Sequence, residues 1–494
     1  MYSLGIDIGS SSIKGAIFNT ETGKSAARGF YPPGEMEISS PSAGFAEQNP
    51  DLWWDYVKLL ANSLIKENRI NPDRIKCIGI TYQMHGLVAV DKNGTPLRSS
   101  IIWCDSRGVE IGEKAFESIG KEYCLNNLLN SPGNFTASKL KWIKDNEPQL
   151  FGRISKILLP GDYIALKMTG EAVTTIAGLT EGIFWDFNKG AISEPLMNYF
   201  GFSNSILPDI KDTFSVQGYL SGKAASELGL KKGIPVSYRA GDQPNNAFSL
   251  NVLNPGEIAA TAGTSGVVYA VTEKPAVDSA SRINNFAHVN YTGAQKRIGV
   301  LLCINGTGIL NSWVRKYLAD KCSYNQMNQI AELASIGSKG ISVLPFGNGA
   351  ERMLGNRNAG SHIMGLDFNR HSIAHIFRGA QEGVAFAFRY GIDVMKELGL
   401  NPALIRAANA NMFLSPVFRQ TLADAAGVTI SLFDTDGAEG AARGAALGAG
   451  IYKSPSEAFS NLKCIEEITP SSETSPQVCE AYLLWQDRLN TILQ

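Results

Sequence analysis

Leu4-Gly5-Ile6-Asp7-Ile8-Gly9-Ser10-Ser11-Ser12-Ile13-Lys14, near the start of the chain, and Ala262-Gly263-Thr264-Ser265-Gly266-Val267-Val268-Tyr269, past its midpoint, decide the fold. Each runs from an apolar strand through a tight Gly/Ser/Thr turn into a second apolar strand. Glycines let backbone N–H groups come close to an anion, and the hydroxyls add donors. Asp7 stands where the first strand ends, a place suited to a hydrated Mg²⁺, which takes a carboxylate together with waters and phosphate oxygens. One such hairpin carries little weight, because Gly-Ser turns are common. Two of them, one at the head of each half, point to a duplicated nucleotide-binding fold.

A chain of 494 residues is too long for one core, so two domains are expected, over residues 1–248 and 249–494. Lys plus Arg (45) nearly cancels Asp plus Glu (46), so no bulk field favours nucleic acid or an anionic membrane. Cys77, Cys104, Cys124, Cys303, Cys322, Cys464 and Cys479 contain no Cys-x-x-Cys pair, which removes thiolate metal spacing. Mostly buried thiols in a reducing compartment are expected. The chain enters a strand almost at once, without a basic stretch followed by an apolar one, and no apolar run of membrane length follows. The expectation is a soluble, cytoplasmic protein.

Asn49 to Lys66 predicts a helix. Asn49 suits the N-cap and Pro50 the first turn, while Leu52, Trp53, Tyr56, Leu59, Leu60 and Leu64 recur at helical spacing. Ile75 to Ile80 reads as a buried strand with Gln83-Met84-His85-Gly86 at its C-terminal end, where α/β sheets gather ligands. In the second half, Ile304-Asn305-Gly306-Thr307-Gly308 opens a helix. Further helices are expected near 372–398 and 415–426, and the Gly/Ala-rich segment 437–450 reads as a helix packed tightly on a neighbour.

Taken in order, the motifs resemble those of the FGGY carbohydrate kinases over essentially the whole chain. They are Asp7-x-Gly9-x-Ser11-x-x-Lys14, Gln83-Met84-His85-Gly86, Ile102-Trp103-Cys104-Asp105-x-Arg107, Leu159-Pro160-Gly161-Asp162-Tyr163, Gly241-Asp242 and Gly263-Thr264-Ser265-Gly266. Thr136-x-x-Lys139-Leu140-x-Trp142-Ile143 matches most of one family signature, with Asn134 unusual at its start. Ser361-x-Ile363-x-Gly365-Leu366 through Glu382 matches a second signature less well. The Gln83 to Gly86 turn is most characteristic of the xylulokinases.

The resemblance implies an α/β, actin-like ATPase (ribonuclease H-like) fold, two duplicated α/β domains with a cleft between them for ATP and sugar. It implies Asp242 as general base, and Asp7 and Asp242 as the carboxylates for Mg²⁺. Gly9, Ser10, Ser11, Lys14, Gly263, Thr264 and Ser265 would attend the phosphates, Asn409 and Asn411 the adenosine, and Gly306 would also bind the nucleotide. Met84, His85, Asp242, Gln243 and Trp103 would hold the sugar; homodimers are common in the family. Two departures stand out. Gln243 replaces the Asn usual after the base in xylulokinases, as in many glycerol kinases. Ala407-Ala408-Asn409-Ala410-Asn411-Met412-Phe413 replaces a glycine-rich adenosine loop, and Asn is the next-best residue for left-handed backbone.

Blander readings stand beside these. Lys14 could be a solvated strand charge, His85 a packed histidine, Trp103 and Trp142 core or pocket wall, and Glu351-Arg352 a structural turn. His362, His371 and His375 read as surface or cap residues. The leading function is an ATP-dependent ketose kinase making D-xylulose 5-phosphate from D-xylulose. A glycerol, ribulose or other polyol kinase is the alternative within the class; a catalytically silent actin-like binder, or a filament protein, lies outside it.

Overall fold

The computed structural model describes residues 1–319 and 321–494. Its first sheet contains β1 (Tyr2–Ile8), β2 (Ile13–Asn19), β3 (Lys24–Tyr31), β4 (Ile75–Tyr82), β5 (Gly218–Tyr219) and β6 (Pro235–Gly241). The spatial order is β5-β6-β4-β1-β2-β3. The β1–β2 and β2–β3 pairs are antiparallel, and β1–β4 and β4–β6 are parallel. The second sheet holds β7 (Ile258–Ala262), β8 (Gly266–Thr272), β9 (Asn284–Ala287), β10 (Ile298–Ile304), β11 (Leu404–Ala408), β12 (Thr429–Phe433) and β13 (Cys464–Ile468), in the order β9-β10-β8-β7-β11-β12-β13. Here β7–β8 is antiparallel and β7–β11 and β11–β12 are parallel. A leading hairpin beside two parallel strands therefore occurs twice. That is the duplication the paired turns foretold.

Helix α1 (Pro50–Glu67) starts where expected, with the Asn49 side chain accepting from the Asp51 amide. Its buried stripe is Trp53, Trp54, Val57, Leu60, Ala61, Leu64 and Ile65; Leu59, expected within it, is exposed. Leu59 lies one position from Leu60 and so about 100° around the helix, off the buried face. The remaining helices used below are α2 (Thr136–Asn146), α3 (Pro160–Thr169), α4 (Ile176–Glu181), α5 (Asp242–Ser249), α6 (Gly308–Leu318), α7 (Ile373–Glu397), α8 (Pro416–Ala426) and α9 (Gly437–Gly448). Gly427 caps α8 in the left-handed conformation.

The chain forms two compact units. The first comprises Met1–Leu253, Phe286–Ile298 and Thr435–Leu462; the second comprises Asn254–Asn285, Gly299–Asp434 and Lys463–Gln494. These units do not follow a simple division at 248/249, because the Gly/Ala-rich α9 of the second half packs inside the first unit. A Cβ on Gly5 of β1 would lie 1.8 Å from the Ala438 carbonyl oxygen, and one on Gly79 of β4 would lie 2.0 Å from that of Ala441. Ala441, Ala442, Ala445 and Ala446 are wholly buried on the facing side.

The cysteines depart from expectation. Only Cys77 and Cys124 are buried, while Cys104, Cys464 and Cys479 are exposed. Scattered spacing says nothing about which face of an element a residue occupies. Among the described residues no helix is long and apolar enough to cross a membrane.

Gly5→Ala should force α9 off the sheet, because its new methyl meets backbone rather than a movable side chain. Overpacking of this kind costs about 1–3 kcal/mol or more. Urea unfolding followed by tryptophan fluorescence should show a lower midpoint, and an unshifted midpoint would contradict this packing.

Candidate active site

In the first unit, β1, β4 and β6 end side by side, with Ile8 opposite Tyr82 and Tyr82 opposite Gly241. The residues that follow these strands converge, which is why sheets of this kind bind ligands at strand C-termini. Asp242 opens α5 directly after β6, where the helix N-terminus suits a carboxylate. Asp7 pairs with Lys14 across the first hairpin. Helix α9 begins over Asp7: a Cβ on Gly437 would lie 2.8 Å from its Oδ2.

Burial raises the Asp7 carboxyl above its ordinary range, with Lys14 opposing the shift and Asp436 adding to it. Burial, and then repulsion from Asp7, push Asp242 up to about 7; hydrogen bonds from Gln243 and the charge of Lys14 pull the other way. Asp436 thus adds to the rise at Asp7, and Asp7 to the rise at Asp242. Asp242 sits at an affinity suited to accepting a proton near neutrality.

The Gln83 to Gly86 turn follows β4. The Gln83 amide donates to the Ile8 carbonyl (2.8 Å). Met84 is buried against Gly241, where a Cβ would come within 2.6 Å of its Cγ. The Met84 amide meets no protein acceptor among the described residues. His85 has left-handed backbone (φ 61°). Its amide donates to Glu181 Oε1 (3.4 Å), its Nδ1 donates to the Glu181 carbonyl (2.8 Å), and its own carbonyl accepts from Lys139 Nζ (2.9 Å). The expected contribution of the Met84-His85 backbone to the sugar narrows accordingly, since both backbone groups of His85 are engaged within the protein.

Trp103 is 44% exposed, and its indole donates to Ser10 Oγ (3.3 Å), tying it to the first Gly-Ser turn. The rest of its motif is structural. Buried Asp105 pairs with Arg107 (2.7 Å) and accepts from the Ala46 amide (2.6 Å). Trp142 packs edge-on to Phe45 and beneath Arg107. Asp162, from another matched motif, pairs with buried Arg239 (3.2 Å).

In the second unit, the turn between β7 and β8 docks on the start of α6. The Gly263 carbonyl accepts from Gly308 (2.9 Å) and the Thr264 carbonyl from Ile309 (3.1 Å). A Cβ on Gly308 would lie 2.3 Å from the Gly263 oxygen, so only glycine fits there. The amides of Thr264 and Ser265 meet no protein acceptor among the described residues, and neither do those of Ser10 and Ser11 in the first unit. The Gly306 amide is taken by Glu351 Oε1 (3.2 Å), and the Asn305 amide by Glu351 Oε2 (3.1 Å). Gly306 is therefore a packing residue here, pressed against the Pro345 carbonyl. Burial lifts Glu351 to about 7 while the two amides hold it down, so its place is structural.

Asn411 adopts left-handed backbone (φ 54°), as expected for a glycine substitute, but Asn409 does not. The Asn411 amide nitrogen lies 3.7 Å from where a Gly263 Cβ would stand, beside the turn. Glu382 of the second signature pairs with Arg378 (2.7 Å) and accepts from Gly337 (3.0 Å), again a structural duty. His375 sits in the capping box of α7. Sequence reasoning missed Glu181, Asp436 and the placement of Lys139. The available signal for Glu181 was a single acid within the otherwise uncharged run 176–185.

A repeated sheet with acceptor-free turn amides and strand-end carboxylates defines a phosphate-handling enzyme of the actin-like ATPase type. Residues 2–249 match the N-terminal domain, and residues 258–452 the C-terminal domain, of the FGGY family of carbohydrate kinases. The chain belongs to that family and is a carbohydrate kinase. It is 28% identical over 430 residues to the xylulose kinase of Haemophilus influenzae, covering 85% of each chain. It is 27% identical over 488 residues to that of Escherichia coli, covering 99% of this chain and 97% of that one. The solved xylulose kinase of Rhodospirillum rubrum superposes with a TM-score of 0.86 at 25% identity, covering 100% of this chain and 99% of that one.

The raised carboxyl of Asp242 has a consequence for stability that does not depend on activity. A carboxyl whose folded affinity for protons exceeds its unfolded one stabilises the fold at low pH, and that contribution is lost as pH rises through about 7. Asp242→Asn removes the loss. The variant's melting temperature should gain on the native protein between about pH 5 and about pH 8.5. A difference that stays constant with pH would show that Asp242 is not strained in this way.

Proposed function

We propose that this carbohydrate kinase transfers the γ-phosphoryl group of ATP to D-xylulose, giving D-xylulose 5-phosphate, with Asp242 as general base. One observation carries the proposal: a strand-end carboxylate raised to about 7, beside Asp7 and the Met84-His85 turn. Asp242 would take the proton of the acceptor hydroxyl as that oxygen bonds to phosphorus. The bond from phosphorus to the donor's bridging oxygen breaks in the same displacement. The acceptor-free Met84 amide, together with Asp242, Gln243 and the half-exposed Trp103, would orient the sugar by hydrogen bonds rather than charge, which suits a neutral ketose. The similarity to xylulose kinases and the Gln83 to Gly86 turn support this acceptor.

The acceptor-free amides of Ser10, Ser11, Thr264 and Ser265 fit phosphate oxygens. Lys14 adds charge near Asp7, and Asn411 an amide near Gly263. Asp7 and Asp242, two buried carboxylates of which the first raises the second, fit a divalent cation, and bound Mg²⁺ would neutralise charge on the transferring phosphoryl group. Gln243 favours a second acceptor, glycerol or another polyol, because it stands where xylulokinases carry Asn.

A coupled assay of ATP turnover against pentuloses and polyols should rank D-xylulose above glycerol. A site built to pair hydroxyls rejects an acceptor lacking them by orders of magnitude in kcat/KM. Equal or better use of glycerol would transfer the assignment to a glycerol-type kinase. Asp242→Asn should cut kcat about 10²–10⁴-fold, and native activity should rise with pH through about 7 as the carboxyl loses its proton. A variant with undiminished kcat would remove Asp242 as the base.

Asn411→Val loses both the left-handed backbone and the amide. It should raise the KM for ATP by about tenfold with kcat largely kept, and more than Asn411→Gly does. An unchanged KM would place the nucleotide away from this loop.

A further inference from the structure

Lys139 and Glu181 reach His85 from two different helices. Lys139 lies in α2, is wholly buried, and its Nζ donates to two carbonyls, those of His85 (2.9 Å) and Ile102 (3.0 Å). No ion pair to Lys139 exists among the described residues. Ile102 immediately precedes Trp103, so one amine bridges the roots of two segments assigned to the sugar. Glu181 ends α4, is 1% exposed, and takes the His85 amide on its carboxylate and the imidazole Nδ1 on its backbone carbonyl. The imidazole is packed against Phe135 and Phe286.

The backbone at both ends of this arrangement is forced. His85 has φ 61°, and Ile183, two residues beyond Glu181, has φ 65°. A β-branched residue in that region is a genuine outlier, and such conformations cost about 1–3 kcal/mol unless the surroundings impose them. Nothing in phosphoryl transfer itself calls for a buried lysine at this place.

We propose that Lys139 and Glu181 are a positioning pair that holds the His85 peptide by its two ends, so that the Met84 amide faces the acceptor. The proposal rests on the reading that the Gln83 to Gly86 turn receives the sugar. The pair works whatever the proton count on the lysine. Burial draws Lys139 down to about 7, with Asp105 opposing, and a neutral amine still has two N–H groups for its two carbonyls. Glu181 needs only an acceptor oxygen toward His85.

The test compares Lys139→Met, Glu181→Leu and Glu181→Gln, using D-xylulose and ATP. Lys139→Met and Glu181→Leu should raise the KM for D-xylulose about tenfold or more while the KM for ATP stays within about twofold. Glu181→Gln, which keeps a carbonyl acceptor, should recover most of what Glu181→Leu loses. If instead both variants only lower the melting temperature and leave the KM for D-xylulose within about twofold, the pair is merely structural and the proposal falls. If Lys139→Met does not fold, the two Glu181 variants decide the matter. Hydrogen exchange on the native protein separates the underlying reading. D-xylulose should slow exchange in peptides covering residues 83–87, and if it binds without doing so, the turn is not the sugar site and both statements fail together.

Discussion

The close seating of α9 on β1 and β4 is the constraint from which the first unit's site follows. Gly5 and Gly79 clear the way for the Ala438 and Ala441 carbonyls, and wholly buried alanines fill the interface without spacing it outward. Interiors at native density have no slack for an added methyl. Because the helix cannot retreat, its first residue lies over Asp7, and Asp436 comes close enough to act on that carboxyl. A segment far along the chain thus helps set the electrostatics of a residue near its beginning.

That setting is a controlled conflict of like charges. Asp7 and Asp242 are both deprived of water and repel one another, while Lys14 and the hydrogen bonds from Gln243 temper the effect. Burial alone would neutralise such groups; partial compensation leaves one of them poised near neutrality. The same economy appears in the second unit, where Glu351 is buried but holds two loop amides. Its carboxylate holds the start of the loop that leads into α6.

Several residues of the family motifs are engaged inside the protein. Asp105 with Arg107, Asp162 with Arg239, and Glu382 with Arg378 are internal ion pairs. A buried pair of this kind is costly to break singly, because removing one partner strands the other charge. Lys139 belongs with them in burial, yet its acceptors are the carbonyls of His85 and Ile102.

Local pattern was enough to read the duplicated fold, the paired turns, Asp7 at the end of its strand and the starts of α1 and α9. These are local features: Asn49 caps its own helix, a Gly-Ser turn follows its own strand, and Gly/Ala content announces a close-packed helix. It misplaced Leu59 and the exposed cysteines, because a residue's face depends on what packs above it. It placed Gly306 among the nucleotide-binding residues, and Glu351, 45 residues away, takes that amide. It could not see Glu181 and Lys139, which reach His85 from 96 and 54 residues away. These depend on the folded chain, since a hydrogen bond between distant segments has no spacing to read until the fold has brought its donor and acceptor together.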